Sequence, residues 1–455
     1  MAHELIISAS GLRGIVGDSL TPDVAWRYAA AFSQILPPGP VLVARDGRAN
    51  GKPFVAPIAA GLLRHGPRQV FDAGIAATPT VGVLVRQLGC AGGIQISASH
   101  NPPEYNGMKL FQADGRVVPA AVGERVLANY QALVDAKPPA GKAPVPEWID
   151  DTTSAHLALI EDIIDLAKIR TRRFRVVLDA NHGSGSVLGQ VLLDQFGCDV
   201  TLLGGTPDGL FSHPPEPTAE NLASVFESVT RHRAQIGFCQ DPDADRLAII
   251  DENGRYLGEE YTLAICANHV LRQMPGGIVM NCSTSRMTED VARKLDLPFH
   301  RSKVGEANVV DLMLTTDAVF GGEGNGGVID PRVGLVRDSF VGMALVLDAM
   351  ASRGVPVSQL ADELPAYAIR KTKVDLPREK IPAALDALEA EWPTAHADRL
   401  DGLRLDWGNP DGSGCWLLVR GSNTEPIVRL FAEAPTADGA ERLCQEGERV
   451  IRKVI

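Results

Sequence analysis

The chain has 455 residues, of which 45% are hydrophobic, and its 56 acidic and 44 basic side chains give a formal charge of −12. This length predicts about three domains or more, and the acidic balance argues against nucleic acid or an anionic membrane as a partner. No apolar run reaches the roughly 18 residues that a membrane-spanning helix needs.

The first residues, MAHELIISASGLRG, include Glu4 and only a short apolar run, so we expect no secretory signal. The seven cysteines are scattered without a C-x-x-C pair. An odd number without metal-type spacing predicts free, buried thiols in a reducing compartment. The sequence therefore predicts a cytoplasmic protein.

Short apolar runs that end in Gly-, Asp- or Ser-rich turns alternate with amphipathic segments over most of the chain. The clearest runs are residues 40–47, 92–99, 174–183, 234–243 and 276–285. Buried strands alternating with helices predict α/β domains with mixed, largely parallel sheets. Ligands of such domains gather in the loops beyond the carboxyl ends of the strands, where we look for function.

A Pro-, Ala- and Gly-rich stretch at residues 136–148 is the clearest linker. We expect domains over residues 1–145, 146–250 and 251–367. From residue 368 to 455 the pattern changes to strand, helix, several strands and a final helix, which predicts a small α+β domain. The absence of a short-period repeat argues against a solenoid or propeller.

The segment ISASHNPPEYNGMKLF, residues 94–109, places Ser99 beside His100. A hydrolase nucleophile elbow needs glycine two residues before and after the serine, where this chain has Ser97 and Asn101. Neighbouring side chains diverge, so His100 is poorly placed to act as the base for Ser99. Taken alone, the segment also fits a polar Asn-Pro turn without chemistry.

The segment DPDADR places Asp241, Asp243 and Asp245 at alternate positions after an apolar run. Three carboxylates in this arrangement could hold one hard cation such as Mg²⁺, and without a counter-ion they would repel one another. Arg246 stands where an EF-hand loop requires glycine, which excludes that motif. A solvated acidic turn remains the alternative.

Two further loops carry groups that could hydrogen-bond a ligand. In GGEGNGGVI, glycines surround Glu323 and Asn325 and allow backbone and side chains to approach a polyhydroxylated ligand. The segment VRGSNTEPIVR gathers donors suited to phosphate oxygens, namely Arg420, Ser422, Asn423, Thr424 and Arg429. A Gly-rich turn without a ligand and a β-turn with surface arginines are the respective alternatives.

Together with SGLRG at residues 10–14, these motifs resemble the α-D-phosphohexomutase family, which includes phosphoglucomutases, phosphomannomutases and phosphoglucosamine mutases. SASHNPPEYNGMK is similar to the family's phosphoserine loop, DPDADR to its magnesium loop, GGEGNGG to its sugar loop and RGSNTEP to its phosphate loop. The resemblance spans nearly the whole chain. It implies three related α/β domains and a smaller C-terminal domain around a deep central cleft.

The resemblance implies an isomerase-class phosphotransferase that interconverts hexose 1-phosphate and hexose 6-phosphate. The reaction would pass through phosphoserine at Ser99 and a hexose 1,6-bisphosphate intermediate, with one Mg²⁺ held by Ser99 and the three aspartates of DPDADR. Arg13 and Arg246 would neutralise the transferring phosphate. Lys109 would act as general acid/base, with a pKa lowered by burial beside cations, and His100 would support the loop or contact phosphate.

The same resemblance assigns substrate contacts to the remaining motif residues. Sugar hydroxyls would be bound by Glu323 and Asn325, with Lys303 and Glu306 contributed by the segment KVGEA. The non-reacting phosphate would be held by Arg420, Ser422, Asn423, Thr424 and Arg429.

Two departures bear on which sugar is used. Gly327 and the KVGEA segment stand where many family members carry histidines, so a second acid/base role for histidine is not expected. Glu306 favours the ammonium group of an amino sugar, which points to a phosphoglucosamine mutase, with a broad phosphoglucomutase/phosphomannomutase as the alternative. A phosphoserine-dependent sugar phosphatase and an inactive sugar-phosphate binding protein also remain open, as do monomer and homodimer.

Overall fold

The computed structural model describes residues 5–8, 11–138, 144–408, 414–422 and 426–454. Within these ranges the strands form four sheets, of seven, five, four and five strands in chain order. Each sheet has its own helices, and we refer to the four resulting units as the first to fourth units.

The first unit is a mixed sheet between two helical layers. Its strands are β1 Ile6–Ser8, β2 Gly11–Ile15, β3 Val41–Arg45, β4 Val70–Ile75, β5 Gly92–Ile96, β6 Tyr105–Gln112 and β7 Glu147–Trp148. Its helices are α1 Pro22–Ser33, α2 Val55–Leu62, α3 Thr78–Gln87 and α4 Ala120–Ala132, with a 3₁₀ turn at Ala49–Phe54. The strand order is β1-β2-β6-β5-β3-β4-β7, in which β3, β4, β5 and β7 are parallel.

Strand β3 explains why this unit needs helices on both faces. Val41 and Val43 pack into the cluster that contains α1 and α2, whereas Leu42 and Ala44 pack into the cluster that contains α3. Successive side chains of a strand point to opposite faces, so an unbroken apolar run requires a cover on each side. The run in the sequence therefore specifies a central, doubly covered strand.

The second and third units are smaller mixed sheets. The second has strands β8 Arg175–Asp179, β9 Asp199–Leu203, β10 Ile236–Gln240, β11 Leu247–Asp251 and β12 Tyr256–Gly258, in the order β12-β11-β10-β8-β9. Its helices are α5 Ser154–Glu161, α6 Leu166–Arg172, α7 Gly185–Gln195 and α8 Ala223–Arg231. Strands β8, β9 and β10 are parallel, and β11 and β12 are antiparallel to their neighbours.

The third unit has the strand order β14-β13-β15-β16, with β13, β14 and β15 parallel. Its strands are β13 Ile278–Asn281, β14 Phe299–Ser302, β15 Phe320–Glu323 and β16 Gly327–Ile329. Its helices are α9 Glu259–Gln273, α10 Met287–Lys294, α11 Glu306–Thr316, α12 Ser339–Arg353 and α13 Val357–Asp362. One hydrophobic cluster joins Leu178 and Phe238 of the second unit to Phe320 and Phe340 of the third, so these units share a core.

The fourth unit is an antiparallel sheet covered by two helices. Its strands are β17 Ala368–Asp375, β18 His396–Asp398, β19 Leu403–Gly408, β20 Gly414–Gly421 and β21 Ile427–Ala434, in the order β17-β21-β20-β19-β18. Its helices are α14 Ile381–Glu391 and α15 Ala437–Arg452, with a 3₁₀ turn at Arg378–Lys380. Three mixed α/β units followed by a smaller α+β unit confirm the predicted fold class.

The sheets extend slightly beyond two of the expected boundaries. Strand β7 pairs with β4 after residue 145, and β12 pairs with β11 after residue 250. Strand β17 begins at Ala368, where the fourth domain was expected to start.

All seven cysteines are unpaired, and Cys198 and Cys415 are partly exposed while the other five are buried. Across the part of the chain that the structure describes, no helix is both long and apolar enough to cross a membrane.

The three central loops follow parallel strands. The loop containing Ser99 follows β5, the DPDADR loop follows β10, and the GGEGNGG loop begins at the end of β15. Each of these strands pairs in parallel with a neighbour, so each loop lies at a carboxyl edge, as the sequence predicts.

Candidate active site

Ser99 lies in a strained turn that presents its hydroxyl group. Its φ is +50°, in the left-handed region that a non-glycine residue seldom adopts, and the residue is 1% exposed. The Ser99 amide donates to Ser97 Oγ at 2.9 Å, and Ser97 Oγ donates to Asp46 Oδ2 at 2.7 Å. Hydrogen bonds from the end of the neighbouring strand β3 therefore support the unusual conformation.

Arg48 fixes the same turn from the other side. Its Nη2 group donates to the carbonyl oxygens of Ser99 and Asn101, at 2.8 and 2.5 Å. Its Nη1 group pairs with Asp46, and its guanidinium lies 5.0 Å from the ring centroid of Phe211 in the second unit. Sequence analysis missed this residue, although ARDGR follows directly after an apolar strand.

The three aspartates of DPDADR converge as predicted. Asp241, Asp243 and Asp245 are fully buried, and each offers one carboxylate oxygen within 4.8 Å of the others. Ser99 Oγ donates to Asp241 Oδ2 at 2.9 Å. No group in the described ranges donates to Oδ1 of Asp243 or of Asp245, although both atoms are buried. Buried carboxylate oxygens without donors suit a bound cation, so the triad could hold a metal ion.

Neighbouring elements hold the aspartate loop in shape. Thr78, the first residue of α3, donates from its amide to the Asp243 carbonyl at 2.9 Å and from Oγ1 to Asp243 Oδ2 at 2.6 Å. Ser184 donates from its amide and from Oγ to the Pro242 carbonyl, at 2.9 and 3.0 Å. The first and second units therefore fix the loop together.

Lys109 pairs directly with the aspartates. Its Nζ lies 2.7 Å from Asp243 Oδ2 and 2.6 Å from Asp245 Oδ2. Burial favours the neutral amine, but the two carboxylates outweigh burial and raise the pKa of Lys109 to about 12. The lowered pKa expected from the sequence is therefore wrong for this arrangement, because anions rather than cations are the nearest charges.

Two arginines add positive charge beside the Ser99 turn and the aspartates. Arg13 on β2 donates from Nη1 to Asn101 Oδ1 at 3.1 Å. Arg246 places Nε 4.0 Å from Asp241 and 3.9 Å from Asp245. Both predicted arginines thus lie at the site.

His100 is close to Ser99 but is only a weak base in this state. Its Nδ1 lies 3.4 Å from Ser99 Oγ. Burial, and then the charges of Arg246 and Arg13, lower the pKa of His100 to about 3. The ring is consequently neutral near pH 7, and its long contact fits a supporting role.

In the sugar-type loop, the Glu323 carboxylate already has several partners. Oε1 accepts hydrogen bonds from Asn281 Nδ2 at 2.7 Å and from the Gly305 amide at 3.0 Å. Asn325 is half-buried, and its Oδ1 accepts from the Gly327 amide at 3.3 Å. Glu323 is therefore held rigidly by its surroundings.

Arg337 links three acidic residues and was missed by sequence analysis. Its guanidinium lies 2.6 Å from Asp245, 2.9 Å from Glu323 and 3.5 Å from Glu306. These carboxylates outweigh burial and raise the pKa of Arg337 well above its usual value. The signal in the sequence is weak, consisting of an Arg-Asp pair in which Asp338 caps helix α12.

The KVGEA segment contributes one exposed and one largely buried residue. Lys303 is exposed directly after β14, and Glu306 is the first residue of α11. Glu306 Oε1 accepts from the Arg337 amide at 2.7 Å, in addition to the contact with its guanidinium. Burial raises the pKa of Glu306, and Arg337 opposes this shift. Much of the Glu306 charge is thus already compensated by Arg337.

The described residues of the phosphate-type segment lie on or directly beside β20 and β21 of the fourth sheet. Arg420 Nε on β20 lies 3.1 Å from Asp401 Oδ2, and the Ser422 amide donates to the Ile427 carbonyl at 2.9 Å. Arg429 on β21 is paired in register with Arg420. Asn423 and Thr424 lie outside the described residues.

Comparison with known proteins shows which enzyme family shares this fold and site. Four segments match the domains described as phosphoglucomutase/phosphomannomutase: 4–136 alpha/beta/alpha domain I, 154–254 domain II, 259–367 domain III and 372–450 the C-terminal domain. The chain belongs to the phosphoglucomutase/phosphomannomutase family.

Individual relatives match over nearly the full chain. A Methanopyrus kandleri protein named "Probable phosphoglucosamine mutase" is 33% identical over 98% of this chain and 97% of its own length. A Thermococcus kodakarensis protein named "Phosphoglucomutase/phosphomannomutase" is 35% identical over 98% of each chain. The crystal structure of a phosphoglucomutase/phosphomannomutase family protein from Burkholderia thailandensis has a TM-score of 0.83 and 28% identity, covering 99% of this chain and 98% of that one.

Proposed function

We propose that the protein interconverts hexose 1-phosphate and hexose 6-phosphate, with glucosamine phosphate as the preferred substrate. The observation that carries the proposal is the 2.9 Å contact of Ser99 Oγ with Asp241 inside the buried aspartate triad. A serine hydroxyl held against carboxylates that suit a divalent cation is well placed to carry a phosphoryl group.

The reaction has two transfers of the same kind. The free hydroxyl of a hexose monophosphate attacks the phosphorus on Ser99, and the bond from phosphorus to Ser99 Oγ breaks. The hydroxyl proton passes to a base, and Ser99 Oγ takes up a proton as it leaves. The product, a 1,6-bisphosphate, turns round, and the Ser99 hydroxyl attacks its other phosphorus; the bond from that phosphorus to the sugar oxygen breaks, the serine proton passes to a base, and the sugar oxygen takes up a proton. The serine ends phosphorylated again, and the phosphate has changed position on the sugar.

Lys109 is our candidate for the group that exchanges the proton. Its ion pairs with Asp243 and Asp245 keep it charged, because together they raise its pKa to about 12 against the opposing effect of burial. Lys109 can therefore accept a proton only in a state in which these two ion pairs are weakened. Protonated Lys109 is equally suited to donate when Ser99 Oγ becomes the leaving group.

We propose that Asp241, Asp243, Asp245 and a phosphoryl oxygen on Ser99 hold one Mg²⁺. The metal, when bound, supplies positive charge to the transferring phosphoryl group. The buried Oδ1 atoms of Asp243 and Asp245, which accept no hydrogen bond from a described residue, support this assignment. Arg13 and Arg246 are proposed to add charge neutralisation beside it.

Substrate contacts are proposed for residues on the third and fourth units. Glu323 and Asn325 would bind sugar hydroxyls, with Lys303 and Glu306 next to them. Phosphate would be held by Arg420, Ser422, Asn423, Thr424 and Arg429. Glu323, Glu306 and Arg420 are supported by the contacts that fix their carboxylates and guanidinium in place.

Preference for an amino sugar rests on the acidity of the sugar side of the site. Glu306 and Glu323 both lie against Arg337, which also pairs with Asp245, so three carboxylates share one guanidinium. An ammonium group on the substrate would offset the remaining negative charge. The competing proposal is a broad phosphoglucomutase/phosphomannomutase, since one of the similar proteins above carries that name.

The phosphoryl-carrier role is tested with Ser99→Ala. We expect turnover to fall by about 10³-fold or more while substrate binding persists, because the carrier oxygen is lost and the binding residues remain. Steady-state kinetics and calorimetric titration with substrate measure the two quantities. The exposed Ser212→Ala is the matched control. Near-normal turnover in Ser99→Ala would exclude Ser99 as the carrier.

The metal role is tested by removing divalent cations. Chelation should abolish activity and Mg²⁺ should restore it, and Mg²⁺ should raise the melting temperature of the wild type but not of Asp243→Asn. The exposed Asp386→Asn should keep the Mg²⁺ effect. Full activity after exhaustive chelation would contradict the assignment.

Substrate choice is tested by measuring kcat/KM for glucosamine, glucose, mannose and N-acetylglucosamine phosphates side by side. A tenfold preference corresponds to about 1.4 kcal/mol of transition-state discrimination. A preference for glucosamine phosphate of this size supports the amino-sugar proposal, and equal or better turnover of glucose and mannose phosphates supports the broad enzyme. Net release of inorganic phosphate would instead indicate a phosphatase.

We also propose that the functional domains follow the division 1–145, 146–250, 251–367 and 368–455. The four sheets support this division, apart from the short strands β7 and β12 noted above. The cytoplasmic location stays a prediction, and a monomer and a homodimer both stay open.

A further inference from the structure

Asp401 lies in the turn between β18 and β19, outside every motif singled out in the sequence. The next residue, Gly402, has a φ of +83°, and a Cβ atom there would come within 2.3 Å of the Val419 carbonyl oxygen. Only glycine allows the turn to approach β20 this closely. The backbone therefore brings the Asp401 carboxylate to the end of β20, where Arg420 lies.

The Asp401 carboxylate contacts both the fourth and the third unit. Its Oδ2 atom lies 3.1 Å from Arg420 Nε and accepts a hydrogen bond from the Val304 amide at 3.0 Å. Its Oδ1 atom lies 3.5 Å from Arg420 Nη2. The side chain is 18% exposed, so solvent only partly screens these contacts. A single carboxylate thus joins the phosphate-type strand to the loop that follows β14.

The next amide along that loop has a carboxylate partner in the sugar-type loop. The Gly305 amide donates to Glu323 Oε1 at 3.0 Å, directly after the Val304 amide donates to Asp401. Two consecutive amides are therefore held by acidic residues from different units. This fixes the position of Arg420 relative to Glu323 through one short piece of backbone.

We propose that Asp401 is a positioning residue that orients Arg420 for the non-reacting phosphate and sets its distance from the sugar-binding loop. The inference rests on the proposed function, in which Arg420 binds that phosphate. A guanidinium carries five donors, and Asp401 engages the Nε side of the group, which leaves other donors for phosphate oxygens. Fixing a long, flexible side chain before binding lowers the ordering cost at the moment of binding.

Asp401 can in principle also weaken phosphate binding, and the test distinguishes this effect from positioning. A carboxylate beside Arg420 could compete with phosphate for the same cation. If competition dominated, removing the negative charge would tighten phosphate binding. If positioning dominates, as we propose, removing the negative charge weakens phosphate binding.

Asp401→Asn separates the two contacts of the carboxylate. The amide oxygen can still accept from the Val304 amide, but the charge that pairs with Arg420 is gone. We expect KM for the hexose phosphate to rise about tenfold with kcat within about threefold, because binding common to ground and transition states is lost. Inorganic phosphate should inhibit this variant correspondingly more weakly. Asp401→Glu, which keeps the charge, should restore part of the affinity.

Asp406→Asn is the matched control. Asp406 is an acidic residue of the same sheet that pairs with Arg404 at 2.9 Å and lies 3.8 Å from Arg301 of the third unit. It has the same kind of contact between units, but its partner on the fourth sheet is Arg404 instead of Arg420. We expect KM to stay near the wild-type value in this variant, whatever its melting temperature.

Arg420→Ala distinguishes failure of the inference from failure of the proposed function. If Arg420→Ala raises KM and Asp401→Asn does not, the positioning role is overturned while the phosphate role stands. If Arg420→Ala leaves KM unchanged, the phosphate role itself falls. A lower KM in Asp401→Asn would show competition and overturn the proposal. Should Asp401→Asn fail to fold, Asp401→Ser decides, because it also removes the charge: a raised KM supports positioning, and wild-type kinetics overturn it.

Discussion

At the scale of single residues, the site depends on side chains that hold the reactive ones in place. Arg48 binds the carbonyl oxygens of Ser99 and Asn101 and is 2% exposed. Its partner Asp46 also accepts from Ser97, which in turn accepts from the Ser99 amide. The left-handed conformation of Ser99 is therefore maintained by a buried network rather than by the turn sequence alone.

Arg48→Lys should lower kcat by about 10- to 100-fold with little change in KM. Lysine keeps the charge but cannot form the planar, multidentate contacts with two carbonyl oxygens and Asp46. The Ser99 hydroxyl would then sample orientations away from Asp241. Steady-state kinetics measure the effect, and Arg255→Lys, at a half-exposed ion pair, is the control. Wild-type kcat in Arg48→Lys would mean that the turn maintains its own shape.

Residues of the site could be predicted only where the motif that marks them lies in one short segment. Ser99, the three aspartates and Glu323 each stand in a compact motif, and the structure brings them together. Arg48 lies 51 residues from Ser99, and Arg337 lies 92 residues from Asp245. The first contact arises because β3 and β5 are neighbours in one sheet, and the second arises from the packing of two units. Neither leaves a local signal in the sequence. The pKa of Lys109 was mispredicted for the same reason, since its nearest charges are distant in sequence.

At the scale of elements, the sugar-type loop GGEGNGG lies in close contact with β11, the strand that follows the aspartates. Gly326 has a φ of +77°, and a Cβ atom there would lie 2.2 Å from the Leu247 carbonyl oxygen. The Leu247 amide donates to the Gly326 carbonyl at 3.2 Å. The glycine therefore allows the loop to reach the first residue of β11, and this contact joins the two loops of the site.

Gly326→Ala should destabilise the protein more than Gly17→Ala. Gly17 has a similar φ of +85°, but nothing lies within 4 Å of its Cβ position, so alanine there carries only the left-handed penalty of about 1–2 kcal/mol. At Gly326 the backbone must also shift, which should raise KM for the sugar phosphate. Urea unfolding and kinetics of both variants measure the difference. Equal losses would show that close approach of the loop is unimportant.

At the scale of the whole molecule, the alternation of apolar runs and amphipathic segments was enough to predict α/β units and a different C-terminal unit. It could not predict that the second and third units share one core, because their apolar faces look like those of independent domains. Phe320 and Phe340 join a cluster with Leu178 that only the assembled chain creates. The number of units can thus be predicted from the local sequence pattern, whereas the way in which the units pack against one another cannot.

His156 of the second unit contacts both the first and the third unit. It is fully buried on α5, with Nε2 2.7 Å from Asp338 Oδ2 in the third unit and Nδ1 3.0 Å from Thr80 Oγ1 in the first. Asp338 caps α12 by accepting from the amides of Phe340 and Val341. Asp338 also follows Arg337 directly, so the junction is adjacent to the residue that binds three carboxylates of the site.

His156→Ala should cost about 2–5 kcal/mol, as expected for a large-to-small change in a core. Ile160→Ala, equally buried on the same helix, should cost a similar amount without touching Thr80 or Asp338. Only His156→Ala should reduce the cooperativity of unfolding, since it removes a buried polar contact that the first and third units both make with the second. We also expect a lower kcat in that variant alone, because Asp338 would be left without its partner beside Arg337. Urea unfolding followed by tryptophan fluorescence and by activity distinguishes the two variants. A single transition of unchanged steepness in His156→Ala, with the same kcat as Ile160→Ala, would show that His156 acts only as an ordinary core residue.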